Sequence, residues 1–353
     1  MPDRVDRAIG VACLTVLAIV AVSCGSDAST SGDTSGDDAT TVQAVADRFA
    51  DETRGGIAIA VAGEAGPVER TIAGVATRAG HEPVDDETAF RVASVTKTFL
   101  AALTLTLVDD GLLELDASLG SVFGGDAGRW SAVTLRQLLT HTSGLPRTGP
   151  RVDPSTWRSP ADIDLEPLCD PGACRNYADE NFVVAGLVIA HVAGQPLERA
   201  LRARILEPFD LDRTFLAPAE TPTPPIARHP TRAVVKALPG VVTTAADLAR
   251  FGQALFGGQV LRESSLDAML DFDATADIPC AEECHLSFPY GLGVFDFSGV
   301  VRCPFVGHDG STSALLAYVP SRRQTIAVVS NVEPWPDDLV TSVLAAATDG
   351  QCA

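Results

Sequence analysis

The segment "FRVASVTKTF", residues 90–99, decides how this sequence is interpreted. It contains Lys97, one of only two lysines among the 26 Lys and Arg residues of the chain; the other is Lys236. Ser94 precedes Lys97 by three residues, so on a helix that begins near Ser94 the two side chains share one face. A serine hydroxyl needs a neighbouring base to become a nucleophile, and a lysine amine can lose its proton whereas an arginine guanidinium cannot. The segment therefore predicts a serine nucleophile with a lysine beside it.

The residues around this pair are apolar, with "FRVA" before it and "FLAAL" after it. They predict a buried helix over 94–111 that ends at Gly111. A buried lysine needs a partner or a function, because an unpaired charge is costly in an apolar interior. Unpaired backbone N–H groups at the start of the helix could also stabilise an oxyanion.

Outward from this helix, strand patterns lie towards both ends of the chain, with helical patterns between them. A strand is predicted at 55–63 with two short strands after it, and later strands at 290–297, 314–320 and 325–331. Helices are predicted at 41–53, 180–194, 243–258 and 336–348, and residues 112–235 have a mostly helical pattern. These patterns predict an α+β fold. An antiparallel sheet would be flanked by the terminal helices, with a mainly helical lobe inserted and a site in the cleft between them.

The composition narrows the class of protein. With 46% hydrophobic residues, 353 residues are enough to bury a large core. The net charge is −20, from 26 basic and 46 acidic residues, and this argues against nucleic acid as a partner, because phosphate binding needs a basic surface.

The first residues predict export. Residues 8–22 form an apolar run that is short for a membrane span and suits the core of a signal peptide. The run ends in "AVSC", which resembles a lipoprotein processing site with Cys24 as the lipidated residue; the alternative is an ordinary secretory signal. We therefore expect a lipoprotein signal peptide at 1–23, a disordered tether at 24–42 and a catalytic domain at 43–353, with membrane contact through the lipid anchor only.

Six cysteines remain after Cys13 and Cys24, and an even number in an exported chain suggests three disulfides. The sequence allows fifteen pairings of these six cysteines. Close spacing favours Cys169–Cys174 and Cys280–Cys284, which leaves Cys303–Cys352 as the third pair. A metal site at "CAEECH" is the alternative, and it lacks a second ligand cluster at the spacing of a zinc finger.

Four further segments follow the nucleophile segment in a specific order: "LLTHTSGLP" (138–146), "NYADENFVVAGLVIAHVAGQPL" from residue 176, "LPGVVTTAADLARF" from residue 238, and "GHDGSTSALLAYVP" from residue 307. Together with "FRVASVTKTF", these segments resemble the serine β-lactamase and penicillin-binding protein superfamily. The closer resemblance is to the branch that contains class C β-lactamases, D-alanyl-D-alanine carboxypeptidases and related esterases. The resemblance covers roughly residues 43–350 and implies a β-lactamase-like fold.

The resemblance also implies roles for individual residues. Ser94 would be the acylated nucleophile, Lys97 would accept its proton or hold the network that does, and Tyr177 would be a second acid/base group. His308 and Gly310 match the third motif of the family, which lies on an edge strand, and with Asp179 and Ser311 they would bind the substrate. The backbone N–H groups of Ser311 and Ser94 would form the oxyanion hole.

Asp179 departs from the family pattern, which has Asn at this position. An ionised Asp can only accept hydrogen bonds, so binding of acylamino side chains is put in doubt more than binding of simple esters. Asp179 would also favour the charged form of Lys97, so that Tyr177 or a shared network would carry more of the proton transfer. His141 is expected to be a structural residue at a helix end, and Lys236 to lie on the surface.

These observations predict an exported serine hydrolase that forms an acyl-enzyme with a β-lactam, a D-Ala-D-Ala peptide or a small ester. We expect a small-molecule or peptide substrate, a monomer, and neither metal nor organic cofactor. A Ser-His-Asp hydrolase is disfavoured because the chain lacks a Gly-x-Ser-x-Gly segment. The non-enzyme alternative is a lipoprotein that binds cell-wall peptides and turns them over slowly or not at all.

Overall fold

The structure is a computed structural model, and it describes residues 41–77, 81–148, 153, 156–217, 240–281, 284, 286 and 288–352. The predicted signal peptide, the lipidation site at Cys24, nearly all of the predicted tether and Lys236 lie outside these residues.

Nine α-helices occur in the described residues. They are α1 (Val42–Thr53), α2 (Thr96–Asp109), α3 (Leu119–Phe123), α4 (Leu135–Leu139), α5 (Asp179–Ala193), α6 (Leu197–Leu201), α7 (Ala245–Phe256), α8 (Glu263–Met269) and α9 (Leu339–Ala347). Ten strands accompany them: β1 (Gly56–Ala62), β2 (Glu69–Thr77), β3 (Glu82–Pro83), β4 (Phe90–Arg91), β5 (Phe215–Ala217), β6 (Gly240–Thr243), β7 (Phe295–Asp296), β8 (Val306–Gly310), β9 (Ala314–Val319) and β10 (Gln324–Ser330).

Strands from both ends of the chain form one antiparallel sheet of seven strands, in the order β3-β2-β1-β10-β9-β8-β7. Its centre is the pairing of β1 with β10, in which Ile57 lies opposite Ser330. The predicted α+β architecture is therefore confirmed. The third motif is nearly at the edge of the sheet, because β7 pairs only with Val306 and Gly307 of β8.

Side-chain size alternates along β1 and sets how close each layer of helices approaches the sheet. Ile57, Ile59 and Val61 belong to the core that also contains the apolar residues of α1 and α9. The alanines between them face the opposite core, which contains α7. Successive side chains of a strand point to opposite faces, so the terminal helices cover one face and α7 covers the other.

Helix α7 lies very close to the sheet. A Cβ atom built on Gly252 would lie 2.6 Å from side-chain atoms of Leu316 and Thr325, so only glycine fits at this point of the helix. The Thr244 side chain caps the helix by accepting a hydrogen bond from the N–H of Asp247, and Gly257 ends it, so α7 lies within the predicted range of 243–258.

The inserted lobe is less regular than its sequence pattern suggested. Between residues 112 and 206, α5 is the one long helix among the described residues, and the others are short helices and turns. A second sheet of three short strands, in the order β4-β6-β5, was not predicted. It joins the segment before Ser94 to β6, immediately before α7.

All three disulfides pair as the cysteine spacing favoured: Cys169–Cys174, Cys280–Cys284 and Cys303–Cys352. Within the described residues no group of His, Cys, Asp and Glu side chains is arranged to hold a metal ion. Among the helices of these described residues, none has the length and apolar character needed to cross a membrane.

Candidate active site

Ser94 lies at the junction between β4 and α2, where the chain turns sharply. Residues Ala93–Val95 form one 3₁₀ turn and α2 begins at Thr96, two residues later than the predicted start. Ala93 has a φ of 41°, in the left-handed region, which directs the chain from the strand into the helix. The Ser94 side chain is partly exposed, whereas the α2 residues from Thr96 to Leu105 are buried.

Lys97 is the centre of the site. Its side chain is only 1% exposed, and its Nζ donates hydrogen bonds to Ser94 Oγ at 2.9 Å and to Asp179 Oδ1 at 2.6 Å. The same nitrogen lies 4.6 Å from the centre of the Tyr177 ring. The structure therefore brings together four residues that the sequence selected from two separate segments: Ser94, Lys97, Tyr177 and Asp179.

Asp179 is the first residue of α5 and forms an ion pair with Lys97. Burial disfavours its charged form, but the charge of Lys97 and their hydrogen bond outweigh burial and lower the pKa of the Asp179 carboxyl below its usual value. Asp179 is therefore ionised at neutral pH. Its position at a helix N-terminus also suits a negative charge.

Tyr177 is held from both sides by disulfide-closed loops. Its own N–H donates to the carbonyl oxygen of Cys284, and Arg175, two residues earlier, exchanges backbone hydrogen bonds with the chain around Cys280. On the other side, the loop closed by Cys169–Cys174 packs on the chain after α4, where Gly172 N–H donates to the carbonyl oxygen of Thr142. The backbone of Tyr177 is thereby fixed although it lies outside any regular element.

His308 lies on β8 and is fully buried. Its Nδ1 contacts the carbonyl oxygen of Asp309 at 2.6 Å, so Nδ1 carries the proton, and Nε2 accepts from the hydroxyl of Tyr290 at 3.1 Å. Burial, followed by the charge of Lys97, lowers the pKa of His308 to about 3. A neutral, fully buried His308 exposes no atom for direct contact with a substrate, so it supports the site from behind through Tyr290.

Tyr290 was missed at the sequence level. It is fully buried, and burial, with the neighbouring Tyr177 and two aspartates, raises its pKa well above the usual value. A compositional signal existed, because the chain has only three tyrosines and two of them, Tyr177 and Tyr290, lie in this site. The same argument from scarcity had selected Lys97.

His141 follows α4 and is structural, as expected. Its Nδ1 accepts hydrogen bonds from the N–H of Ala178 and from the Asn181 side chain, so in the neutral ring Nε2 carries the proton. Burial, together with the charge of Lys97, lowers the pKa of His141 well below its usual value. Its ring packs against Tyr177, with the ring centres 4.3 Å apart, and so supports the aromatic wall beside Lys97.

The end of β8 packs against the segment that leads to Ser94. A Cβ atom on Gly310 would lie 2.3 Å from the carbonyl oxygen of Val92, and the hydroxyl of Thr312 donates to the carbonyl oxygen of Arg91 at 2.5 Å. Ser311 follows in an exposed turn. Gly310 therefore permits the close approach that places the Ser311 backbone beside the Ser94 turn.

The mouth of the site carries charge. Arg147 is exposed, and its positive charge acts on both Asp179 and His141. The next residue, Thr148, donates hydrogen bonds from its N–H and its hydroxyl to the buried carboxylate of Glu180. The 145–148 loop is thereby attached to the first turn of α5, next to Asp179.

Comparisons with known proteins agree with this geometry. The family described as Beta-lactamase matches residues 41–349 of the chain. Penicillin-binding protein 4 of Amycolatopsis lactamdurans is 28% identical over 301 residues, which cover 75% of this chain and 78% of that protein. Esterase EstB of Burkholderia gladioli is 32% identical over 194 residues, which cover 48% of this chain and 49% of that protein.

The fold has close counterparts among solved structures. D-amino acid amidase from Ochrobactrum anthropi SV3, solved as a complex with L-phenylalanine amide, superposes with a TM-score of 0.73 at 23% identity. The alignment covers 88% of this chain and 98% of that chain. This similarity confirms the fold expected from the sequence.

Proposed function

The chain belongs to the beta-lactamase family of serine hydrolases, and from this premise we propose that it hydrolyses an amide or ester through an acyl-enzyme on Ser94. The observation that carries the proposal is the contact between Ser94 Oγ and the buried Nζ of Lys97, at 2.9 Å. A buried amine at hydrogen-bonding distance from a partly exposed hydroxyl is the arrangement that activates a serine nucleophile.

In the proposed reaction, Ser94 Oγ attacks the substrate carbonyl carbon and gives its proton to the network of Lys97 and Tyr177. The backbone N–H groups of Ser94 and Ser311 stabilise the oxyanion, and the leaving group departs with the proton. A water molecule then attacks the acyl-enzyme and releases the acid, which restores Ser94. Asp179, Tyr290 and His308 hold this network in place.

Covalent labelling tests the nucleophile. A fluorophosphonate probe and a fluorescent penicillin are expected to label the wild-type protein at Ser94, and the Ser94→Ala variant is expected to remain unlabelled. Ser264→Ala, which changes an exposed serine of α8, is the matched control and should label like wild type. If a wild-type protein with a normal thermal unfolding transition reacts with neither probe, the proposed mechanism is wrong.

A turnover screen identifies the substrate class. Nitrocefin, a D-Ala-D-Ala peptide and p-nitrophenyl esters represent β-lactams, peptides and simple esters. The similarity to esterase EstB supports the ester, and the similarity to penicillin-binding protein 4 supports the peptide and the β-lactam. Because ionised Asp179 replaces a neutral amide, we expect the esters to be hydrolysed faster than N-acylated amides.

The Lys97–Asp179 ion pair favours a second candidate function. A carboxylate that holds Lys97 charged would slow proton transfer, as in a protein that binds cell-wall peptides with little turnover. Labelling at Ser94 that is not followed by release of the acyl group would support this second candidate.

We also propose that the chain is exported and held at the outer face of the membrane by a lipid on Cys24, after removal of residues 1–23. The three disulfides support export, because such bonds persist in oxidising compartments. Incorporation of labelled palmitate into the wild-type protein but not into Cys24→Ala is the expected result. Palmitate on neither protein would leave the secretory signal as the explanation for export.

A further inference from the structure

The carboxylate of Asp179 has one oxygen engaged and one available. Oδ1 binds Lys97, whereas Oδ2 has no hydrogen-bond partner among the described residues. The side chain is 21% exposed, although Lys97 beneath it is 1% exposed. A charged acceptor therefore faces the cleft beside the nucleophile.

Asp179 and Ser94 are neighbours in the site, because Oδ1 and Oγ bind the same Nζ, at 2.6 and 2.9 Å. In a substrate whose scissile carbonyl carbon lies at Ser94 Oγ, a group on the adjacent carbon atom is within reach of Asp179. A carboxylate attracts an ammonium at this place and repels the carbonyl oxygen of an acylated amine.

We propose that Asp179 binds the free α-ammonium group of the substrate, so that the preferred substrates are amides or esters of α-amino acids with an unblocked amine. This inference rests on the proposed function and specifies its substrate class. Asp179 then acts as a specificity-determining residue in addition to holding Lys97.

Binding of the ammonium also resolves the conflict between Asp179 and a proton-accepting Lys97. A second cation on the carboxylate competes with Lys97 for the negative charge and lies beside the Lys97 ammonium. Both effects weaken the hold of Asp179 on Lys97. A Lys97 amine in its neutral form accepts the proton of Ser94 Oγ as Oγ bonds to the carbonyl carbon, and later passes it to the leaving group.

Other charged groups around Asp179 set the background for this interaction. Arg147 faces Asp179 from the 145–148 loop, and His308 faces it from β8. His308 is neutral at the pH of the assay, whereas Arg147 is cationic and exposed to solvent, which screens its repulsion of a substrate ammonium. Tyr177 and His141 complete the surroundings of Lys97.

The test compares three matched acyl groups, each as the amide and as the methyl ester: phenylalanyl in both enantiomers, N-acetylphenylalanyl, and 3-phenylpropanoyl, which lacks the amine. For one enantiomer of the phenylalanyl compounds, we expect kcat/KM to exceed that of the N-acetylphenylalanyl and 3-phenylpropanoyl compounds by about 10- to 100-fold. This is the range of a hydrogen bond to a charged group. This advantage should decline as the substrate amine deprotonates near pH 8.

Asp179→Asn is expected to reduce the ratio of kcat/KM between the free-amine compound and the two compounds without a free amine to about one. Asp267→Asn removes an exposed carboxylate of α8 and is the charge-matched control, for which the ratio should remain as in wild type.

Protection of Ser94 from the fluorophosphonate gives a second readout that does not depend on turnover. Phenylalaninamide should protect at lower concentration than 3-phenylpropanamide in wild type, and equally in Asp179→Asn. If Ser94 reacts with the probe but neither readout distinguishes the free amine, this inference alone is overturned. A similar preference in wild type and Asp179→Asn would overturn it too. If Ser94 does not react at all, the proposed function fails with it.

Discussion

The backbone N–H of Tyr177 donates a hydrogen bond of 2.9 Å to the carbonyl oxygen of Cys284, which closes a short disulfide loop with Cys280. This contact joins an aromatic residue of the candidate active site to a segment more than a hundred residues later in the chain. The Cys280–Cys284 disulfide therefore bears on the site directly. Cys303–Cys352 instead joins the bend before β8 to the turn after α9, on the side of the sheet that faces the terminal helices.

Removal of Cys280–Cys284 should mainly affect activity, and removal of Cys303–Cys352 should mainly affect stability. Replacement of Cys280 and Cys284 by Ser is expected to lower kcat, because the backbone of Tyr177 loses a fixed partner. The loss of unfolding free energy should be about 2 kcal/mol, since the loop is short. Replacement of Cys303 and Cys352 opens a long loop and should cost about 4 kcal/mol with little change in kcat.

Urea unfolding and initial rates on a p-nitrophenyl ester measure both effects. An equal fall in kcat for the two double variants, measured where both are folded, would show that the Cys280–Cys284 loop has no particular role at the site.

Replacement of Lys97 by Arg should slow acylation strongly while keeping the positive charge. Arginine stays protonated, so it can pair with Asp179 but cannot accept the Ser94 proton. We expect the rate of fluorophosphonate labelling to fall by about 10²- to 10⁴-fold, the usual contribution of general-base catalysis.

Circular dichroism checks that the larger side chain is accommodated, and Lys97→Met provides a smaller, uncharged comparison. If Lys97→Arg labels at nearly the wild-type rate, Lys97 contributes only its charge, and Tyr177 becomes the proton acceptor.

Gly310→Ala should impair the site more than its effect on stability explains. The new Cβ would meet the carbonyl oxygen of Val92, a backbone atom, so β8 must move away from the Ser94 turn. We expect a loss of about 1–3 kcal/mol in unfolding free energy and a clear loss of acylation rate.

Gly252→Ala is the matched control for Gly310→Ala. Its Cβ would collide with Leu316 and Thr325 on the sheet under α7, away from Ser94. It should lose comparable stability and keep the acylation rate of the wild type. Parallel thermal unfolding and labelling experiments compare the two, and equal labelling rates would contradict the role given to Gly310.

The buried His308 should make the fold sensitive to acid. Its pKa is lowered from 6.5 to about 3, so the unfolded chain binds a proton that the folded protein rejects. The stabilisation is therefore complete above about pH 6.5 and is lost as the pH falls towards 3. Between pH 7 and pH 4 this single group should cost about 3 kcal/mol.

Urea unfolding at several pH values measures this dependence. His308→Gln should weaken the fall in stability over this window, and His81→Gln, at an exposed turn position, is the control that should leave it unchanged. Identical slopes for wild type and His308→Gln would contradict a buried neutral His308.

The sequence predicted the elements that have strong periodicity and the residues that are rare. The terminal helices, the central strands and the pair Ser94–Lys97 all follow from local patterns, and the contact between Lys97 and Asp179 follows from the family motif. The small sheet of β4, β5 and β6 could not be predicted, because strands of two to four residues carry no detectable alternation.

The sequence overestimated the helical content of the inserted lobe for a related reason. Its short helices are stabilised by packing and capping, such as the reciprocal hydrogen bonds between Thr134 and Gln137, and single-sequence patterns do not measure their length. The contact between Tyr290 and His308 was missed because it depends on the approach of the segment before β7 to β8, which no local signal reports.

The pairing of β1 with β10 has a consequence for the order of events during synthesis. Residue 57 can find its partner, residue 330, only after nearly the whole chain has left the ribosome. Until then β1, which is apolar on both faces, can pair only with β2, and its other edge stays uncovered and prone to aggregation while the middle of the chain is made. Because His308 and Gly310 lie on β8, a chain that is still being synthesised also lacks part of the candidate active site until nearly all of it has been made.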